Sequence, residues 1–298
     1  METQIRQNVV IVLNYNDWEE TTRFCNMVNG CSSIDKILIV DNKSTDESVE
    51  RLNNLVSDKI LLLVAEDNKG YSAGNNVGLR YILDNNIKGN IIISNPDIYF
   101  DSSNIDSILM PLNDEAIGVS TGLITMHGET ISNYAWDVPS YWDMVTNLFL
   151  LTYKIKKILG LSIYHKLPKN EEFHYCSCVS GCFFCFTTET LQQVGLFDER
   201  TFLFGEEFIF GYRLKQSGKK ACVVVKEKIE HDQHHSINKS SIAVKKERNW
   251  DLSSMLIYIK FYLRKGVILQ ALYKFLYKVS YYEQRLVLSI SRFLGLYK

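Results

Sequence analysis

The first hundred positions repeat one pattern: an apolar run short enough for a strand, a polar cluster, then a stretch with helical spacing. The apolar runs are Val9–Leu13, Ile37–Val40, Ile60–Val64 and Ile91–Ile93. Each is almost pure Ile, Val and Leu without polar alternation, which marks strands buried on both faces of a parallel sheet. Asp17 stands where it would cap a helix carrying Glu19 and Glu20 in its first turn. A second helix is expected to start at Ser44, Thr45 or Asp46 and to run to Leu55. A third covers Asn76–Leu83, after a polar loop over Asn68–Asn75. Alternation of this kind predicts an α/β fold with a mostly parallel central sheet and right-handed crossovers.

Beyond Asp101 the rhythm changes. Ile117–Ser120 reads as a further strand, Val179–Phe186 as another, and Ala221–Val225 as the last. Residues 134–170 are aromatic and basic, and Tyr141, Trp142, Met144, Val145, Leu148, Phe149, Leu151 and Ile155 recur at helical spacing. A short helix over Glu189–Gly195 ends at glycine, and another opens at Phe204-Gly205-Glu206-Glu207 and closes at Ser217-Gly218. His231–Ser236 reads as a loop, and the tail from Ile242 as helical. The expected organisation is one α/β domain over 1–238, with 134–170 as a helical insertion, followed by basic amphipathic helices over 239–298.

At 298 residues, 46% hydrophobic and 22% charged, the chain can build a sizeable core. The net charge of −1 hides an asymmetry, because positions 239–298 carry twelve Lys and Arg against Glu247, Asp251 and Glu283. A basic tail suits an anionic membrane surface or nucleic acid. With Tyr, Phe and Leu interleaved, it reads either as an interfacial helix or as a hairpin that packs on the domain or forms a dimer. Met1-Glu2-Thr3-Gln4 carries an acid and no apolar run, and the seven cysteines are odd in number, so a reducing compartment and no secretory leader are expected. No uncharged apolar run reaches about eighteen residues, so no spanning helix is expected.

Several positions carry candidate chemistry. Pro96 ends the ladder of the fourth strand for want of an N–H, which places Asp97 at the carboxyl edge of the sheet, where open α/β folds bind ligands. A carboxylate there can hold a divalent cation, or it can be a turn residue. Asp41 can accept bonds from a ribose or a base, or cap its own loop. Asn68-Lys69-Gly70-Tyr71-Ser72-Ala73-Gly74-Asn75 has two glycines that allow close approach, but it is not a Walker loop. Glu206 and Glu207 diverge by about 100° on a helix, so one can act as a general base while the other packs; alternatively both favour the helix dipole. His231, Asp232, His234 and His235 read as a metal or phosphate cluster, or as a solvated loop, at no standard zinc spacing. Cys176, Cys178, Cys182 and Cys185 read as buried structural thiols.

The order of these motifs is more specific than any one of them. Val-Val-Ile-Val-Leu-Asn-Tyr-Asn, then Ile-Val-Asp-Asn-Lys-Ser-Thr-Asp, then Asn-Lys-Gly-Tyr-Ser-Ala-Gly-Asn-Asn-Val-Gly, then Asn-Pro-Asp, then Gly-Leu-Phe-Asp-Glu and Phe-Gly-Glu-Glu together resemble the family 2 glycosyltransferases, closest to their bacterial rhamnosyltransferase-like branch. The resemblance covers residues 8–236. It implies a GT-A fold and inverting transfer of a sugar, rhamnose among the candidates, from a dTDP- or UDP-sugar to a glycan or lipid-linked glycan of a bacterial surface polysaccharide such as an O-antigen or capsule. By position, Asn14, Asp41 and Asn42 would hold the nucleoside, and Asn68, Gly70, Asn75 and Asn95 would line the donor pocket. Asp97 and His231 would hold Mg2+ or Mn2+. Glu207 would be the base, with Glu206 the second choice, and 134–170 would lie on the acceptor side. Asn95 stands where the family's Asp-x-Asp has its first acid, and Glu207 where the family has Asp. The enzyme so implied would work in the cytoplasm, peripheral on the inner face of the membrane, with no nucleic acid partner and with a homodimer as one use of the tail. Two other readings are a sugar nucleotidyltransferase, whose glycine-rich basic loop is lacking after the first strand, and an inactive carbohydrate-binding member of the fold.

Overall fold

The computed structural model describes residues 6–168, 170–232 and 241–293. Its first half follows the apolar rhythm: β1 (Arg6–Asn14), α1 (Trp18–Asn29), β2 (Lys36–Asp41), α2 (Ser48–Asn53), β3 (Ile60–Val64), α3 (Tyr71–Asp84) and β4 (Lys88–Ser94). Then come β5 (Ile98–Tyr99), α4 (Ile105–Leu109), β6 (Ile117–Met126), β7 (Glu129–Thr130), β8 (Ala135–Trp136), α5 (Tyr141–Asn147) and α6 (Leu150–Ile158). The rest is β9 (Phe173–Cys176), β10 (Cys178–Val179), β11 (Phe183–Thr187), α7 (Thr188–Val194), α8 (Glu206–Gln216), β12 (Lys220–His231), α9 (Ser241–Ile257), a π-helical turn (Tyr258–Tyr262) and α10 (Val267–Phe293).

The main sheet runs β3-β2-β1-β4-β11-β6-β12-β5. β1 to β4 are mutually parallel where they pair. β11 lies antiparallel between β4 and β6, and β6 and β12 resume the parallel sense. Successive side chains of a strand point to opposite faces, and the core divides accordingly. Val10, Val12, Ile37, Ile39 and Ile92 meet Phe24 and Val28 of α1 and Leu52 of α2 on one face. Val9, Ile11, Leu38, Ile91 and Ile93 meet Leu79 and Ile82 of α3 and Phe210 and Leu214 of α8 on the other. A third cluster joins Tyr141 and Met144 of α5, Ile209 of α8, Met255 of α9, Tyr258 of the π-helical turn, and Tyr273 and Tyr277 of α10. The C-terminal helices therefore pack on the domain.

Four local expectations change. The polar loop before α3 is only Asn68–Gly70, because Tyr71–Asn75 already form the first turns of the helix. The strand expected over Val179–Phe186 is split by Ser180-Gly181-Cys182. β12 continues past a register shift between Val224 and Lys228 to His231, so His231 ends a strand rather than opening a loop. The 134–170 stretch is helical only in α5 and α6; Ala135-Trp136 pairs with Cys178-Val179 in a separate two-stranded sheet. The seven cysteines are buried and unlinked, as a reading of structural thiols requires. His234, His235 and the boundary at 238 lie outside the described residues. Among the described residues, no helix is long and apolar enough to cross a membrane.

Candidate active site

The carboxyl ends of β1, β2 and β4 open on one crevice, and the end of β12 joins them. At the ends of β1 and β2, Asn14 and Asp41 are fully buried. Asn14 Nδ2 donates to Asp41 Oδ1 at 2.8 Å and to Ser44 Oγ at 3.1 Å. Its amide is oriented by Thr21, whose hydroxyl donates to Oδ1 at 2.8 Å. Asp41 accepts from the Ser44 amide at 2.9 Å and hydroxyl at 2.6 Å, so it does cap its loop. Asn42 Nδ2 donates to Asn68 Oδ1 at 3.1 Å and to the Gly70 carbonyl at 3.2 Å. Asn42 Oδ1 is buried with no partner among the described residues.

Gly70 has φ +91°, and a Cβ there would lie 1.9 Å from the Phe202 carbonyl oxygen. The close approach that this glycine permits is thus to a neighbouring stretch of chain. Residues 197–204 strap across the start of α3: the Tyr71 amide donates to the Phe202 carbonyl at 2.8 Å, and the Ser72 and Thr201 hydroxyls are 2.9 Å apart. The strap is held from behind by the C-terminal helices. Phe202 stacks on Trp250 at 4.4 Å between centroids, Ser254 Oγ donates to the Leu203 carbonyl at 3.0 Å, and Tyr262 donates to Asp198 Oδ2 at 2.6 Å. Arg200 also pairs with Asp198 and lies over the Phe261 ring at 3.8 Å. Burial opposes the Asp198 charge, but the bonds from Arg200 and Tyr262 outweigh it and hold the carboxyl down at about 2.

Asp97 follows Pro96 at the end of β4, as expected. Arg23 of α1 props this turn by donating to the carbonyls of Pro96 and Ile98, and the Asp232 amide donates to the Asp97 carbonyl at 2.9 Å. Asp97 Oδ2 lies 3.2 Å from His231 Nε2, and Oδ1 is buried with no partner among the described residues. Burial disfavours the His231 imidazolium, but Asp97 and Cys182 more than offset it and push its pKa up to about 10. A carboxylate oxygen with no partner fits a hard cation. The described residues contain no cluster of three or more His, Cys, Asp or Glu able to hold a metal. His231 would have to release its proton to bind a cation. Asn95 is tied through its backbone, the amide donating to the Cys182 carbonyl at 2.8 Å.

Gly205, at φ +80°, turns the chain into α8, which begins with Glu206. Glu206 is buried, with Oε2 unpartnered among the described residues. Glu207 is partly exposed and accepts from the Gly181 amide. A Cβ on Gly181 would lie 3.0 Å from Glu207 Oε1. Burial raises both carboxyls, and the neighbouring Glu207 raises Glu206 further. The Gly181 carbonyl in turn accepts from the Tyr71 hydroxyl at 2.6 Å.

The expected site residues fall into small groups linked by single contacts. Asp41 and Asn14 touch; Asn42 joins Asn68 and Gly70; Tyr71 leads through Gly181 to Glu207; and Cys182, the next residue, reaches Asn95 and His231. Asn75 is buried under this path, its Nδ2 donating to the Tyr71 carbonyl at 3.0 Å and its Oδ1 unpartnered among the described residues. Sequence reasoning missed Gly181, Cys182, Tyr71 and the 197–204 strap. Gly181 sat inside an apparent strand and has no side chain to signal its use, whereas Tyr71 was visible inside a recognised motif.

A model described as Glycosyl transferase family 2 matches residues 9–195. The low-salt glycan biosynthesis hexosyltransferase Agl10 of Haloferax volcanii is 24% identical over 216 residues, 72% of this chain and 64% of that relative; the chain thus spans less than two thirds of that relative's length. Among solved structures, GalNAc-T7 with UDP, GalNAc and Mn2+ is similar at TM-score 0.63 and 17% identity, over 86% of this chain and 48% of that one. The mannosyltransferase PcManGT from Pyrobaculum calidifontis, solved with GDP-Man and Mn2+, is similar at TM-score 0.56 and 14% identity, over 99% of this chain and 82% of that one. At these identities the likeness shows the fold, and it is the GT-A fold expected above.

The depressed Asp198 carboxyl makes the strap acid-sensitive. A carboxylate stabilised by its partners contributes stability above its unfolded value, and that contribution is lost as pH falls through the folded one. The melting-temperature gap between the wild type and Asp198→Asn should therefore be full above pH 3.8 and narrow as pH is lowered toward about 2. Calorimetry across that range checks it; a constant gap would show that the ion pair is not its source.

Proposed function

The chain belongs to glycosyl transferase family 2, and from that premise we propose that it is a glycosyltransferase that moves a hexosyl or 6-deoxyhexosyl residue, such as rhamnose, from a nucleotide sugar onto a hydroxyl of a lipid-linked glycan with inversion, in the building of a cell-surface polysaccharide. The observation that supports this is the Gly181-Cys182 dipeptide: the Gly181 amide bonds the Glu207 carboxylate, and Cys182 bonds His231, the partner of Asp97. In this reading Asn14, Asp41 and Asn42 hold the nucleoside, with Asn68, Gly70, Asn75 and Asn95 along the donor. Asp97 and His231 hold a divalent cation. When bound, the cation supplies positive charge to the leaving diphosphate. Glu207 takes the proton of the acceptor hydroxyl as its oxygen attacks the anomeric carbon from the face opposite the diphosphate. Glu206, buried more deeply, packs behind it.

The acceptor's location is read from the outer helices. α10 buries Tyr273, Tyr277 and Ser280 on the domain, while Ile268, Phe275, Tyr282 and Leu286 stand in solvent beside exposed Lys274, Lys278 and Arg285. α6 repeats the arrangement: Leu151, Ile155 and Ile158 are exposed, Ile158 to 84%, beside Lys154 and Lys157. The two helices touch where the Leu150 amide donates to Glu283 at 3.1 Å. Apolar rows flanked by cations suit an anionic leaflet. They suit a second copy poorly, because like charges would flank its seam. The enzyme is accordingly read as peripheral on the cytoplasmic face of the membrane.

Four outcomes follow from this reading. Glu207→Gln should lower transfer by about 10²–10⁴-fold while donor binding persists. Since burial raises the Glu207 carboxyl above its ordinary 4.5, wild-type kcat/KM should fall as pH drops through a value above 4.5; a limb at the ordinary position, or an active Glu207→Gln, would remove Glu207 from the role. Asp97→Ala should abolish the gain in nucleotide affinity that Mn2+ gives the wild type in calorimetry, and an unchanged gain would remove the cation from Asp97. In flotation, the protein should rise with vesicles containing an anionic lipid and stay down with neutral ones; equal behaviour with both would remove the charged-leaflet reading.

A further inference from the structure

A cavity of about 660 Å³ opens between α6 and residues 160–167. Its lining includes Lys157, Lys166, His165, His174, Tyr153 and Tyr164, and among the described residues no carboxylate lines it. His165 Nδ1 and His174 Nε2 are 2.8 Å apart and share a hydrogen. The outer nitrogens of this pair face Asp137 and Glu171, each at 3.3 Å, and both carboxylates are 58% exposed. The cavity thus gathers four cationic or protonatable side chains whose balancing acids sit at its margin.

The cavity is joined to the crevice by rings. Phe208 follows Glu207 in α8 and lies edge-on to Trp136, with centroids 6.1 Å apart. Trp136 lies 6.2 Å from Tyr164, and Tyr164 lies 6.2 Å from Tyr153 at the cavity wall. Trp136 Nε1 is buried with no acceptor among the described residues, a donor without the partner that buried polar groups normally have. Aromatic faces pack against the apolar face of a sugar ring, while a few polar groups fix its orientation. Lysines act as point charges toward phosphate.

We propose that this cavity binds a phosphate or diphosphate group carried by the acceptor, with the acceptor saccharide lying along Tyr153 and Tyr164 at the cavity wall and its free hydroxyl reaching toward Glu207. This rests on the acceptor reading given above for Glu207. The phosphate can belong to a lipid carrier entering beside α6, which bears Lys157, or to a soluble sugar phosphate; the binding chemistry is the same.

The test is calorimetric titration of the full-length, metal-free protein with inorganic pyrophosphate. The wild type should bind, and Lys157→Glu/Lys166→Glu should weaken binding by about tenfold or more. Lys215→Glu/Lys220→Glu, two exposed positions at the far end of α8 and the start of β12, makes the same charge change and should leave pyrophosphate affinity unaltered. Wild-type affinity in the first variant overturns the proposal, as does an equal loss in both. Lys157→Gln/Lys166→Gln, which removes the two charges without reversing them, gives a second reading should the charge reversals melt early: weaker binding supports the site and unchanged binding overturns it. A short prenyl diphosphate that binds more tightly than pyrophosphate identifies a lipid source, and equal affinities identify a soluble one. Pyrophosphate binding lost in the lysine variant, together with full transfer by Glu207→Gln, would leave the cavity standing and sink the base at Glu207 instead.

Discussion

The hydrogen bond from the Tyr71 hydroxyl to the Gly181 carbonyl is the contact on which the crevice depends. Gly181 lies in the break between β10 and β11, so its peptide groups are not committed to a ladder. Its carbonyl is held by α3, its amide holds Glu207 at the start of α8, and the next carbonyl, of Cys182, takes the Asn95 amide at the end of β4. Three elements from distant parts of the chain are thereby set against one another by two residues. A side chain at 181 would press on the carboxylate it positions, and a regular strand there would have used the same amide and carbonyl for pairing.

The C-terminal helices take part in this arrangement. Trp250, Ser254, Phe261 and Tyr262 hold the strap that covers the start of α3, and Met255 and Tyr258 join α5 and α8 in one apolar cluster. The same helices face outward with apolar and cationic residues. One face thus backs the strap, while the other stands exposed.

The buried groups of the crevice that lack partners among the described residues are mostly acceptors: Asn42 Oδ1, Asn75 Oδ1, Asp97 Oδ1 and Glu206 Oε2. Leaving such atoms unbonded in a folded protein costs about 1–3 kcal/mol each. A nucleoside diphosphate sugar with a cation brings the complementary set, namely hydroxyls, ring N–H groups and a metal. Trp136, at the other end, is a donor without an acceptor. The polarity of the unpaired groups therefore changes from the donor side to the acceptor side.

The apolar runs of the first hundred residues, and the polar residues that end them, determined by themselves that there would be a mostly parallel sheet with Asn14, Asp41 and Asp97 at one edge. That much is local, because burial on both faces demands a continuous apolar run and proline cannot donate to a ladder. The sequence also placed the paired glutamates at the head of a helix. What it did not show was that Asn75 lies inside α3, that His231 ends a strand, or that the apolar run around Gly181 is broken. These depend on which distant backbone approaches: the Phe202 carbonyl at Gly70, and β5 and β6 along β12. Only the tertiary structure decided that α3, α8 and the ends of β4 and β12 are joined through Gly181 and Cys182, because the residues that join them act largely through main-chain amides and carbonyls, which every residue carries and no sequence pattern distinguishes.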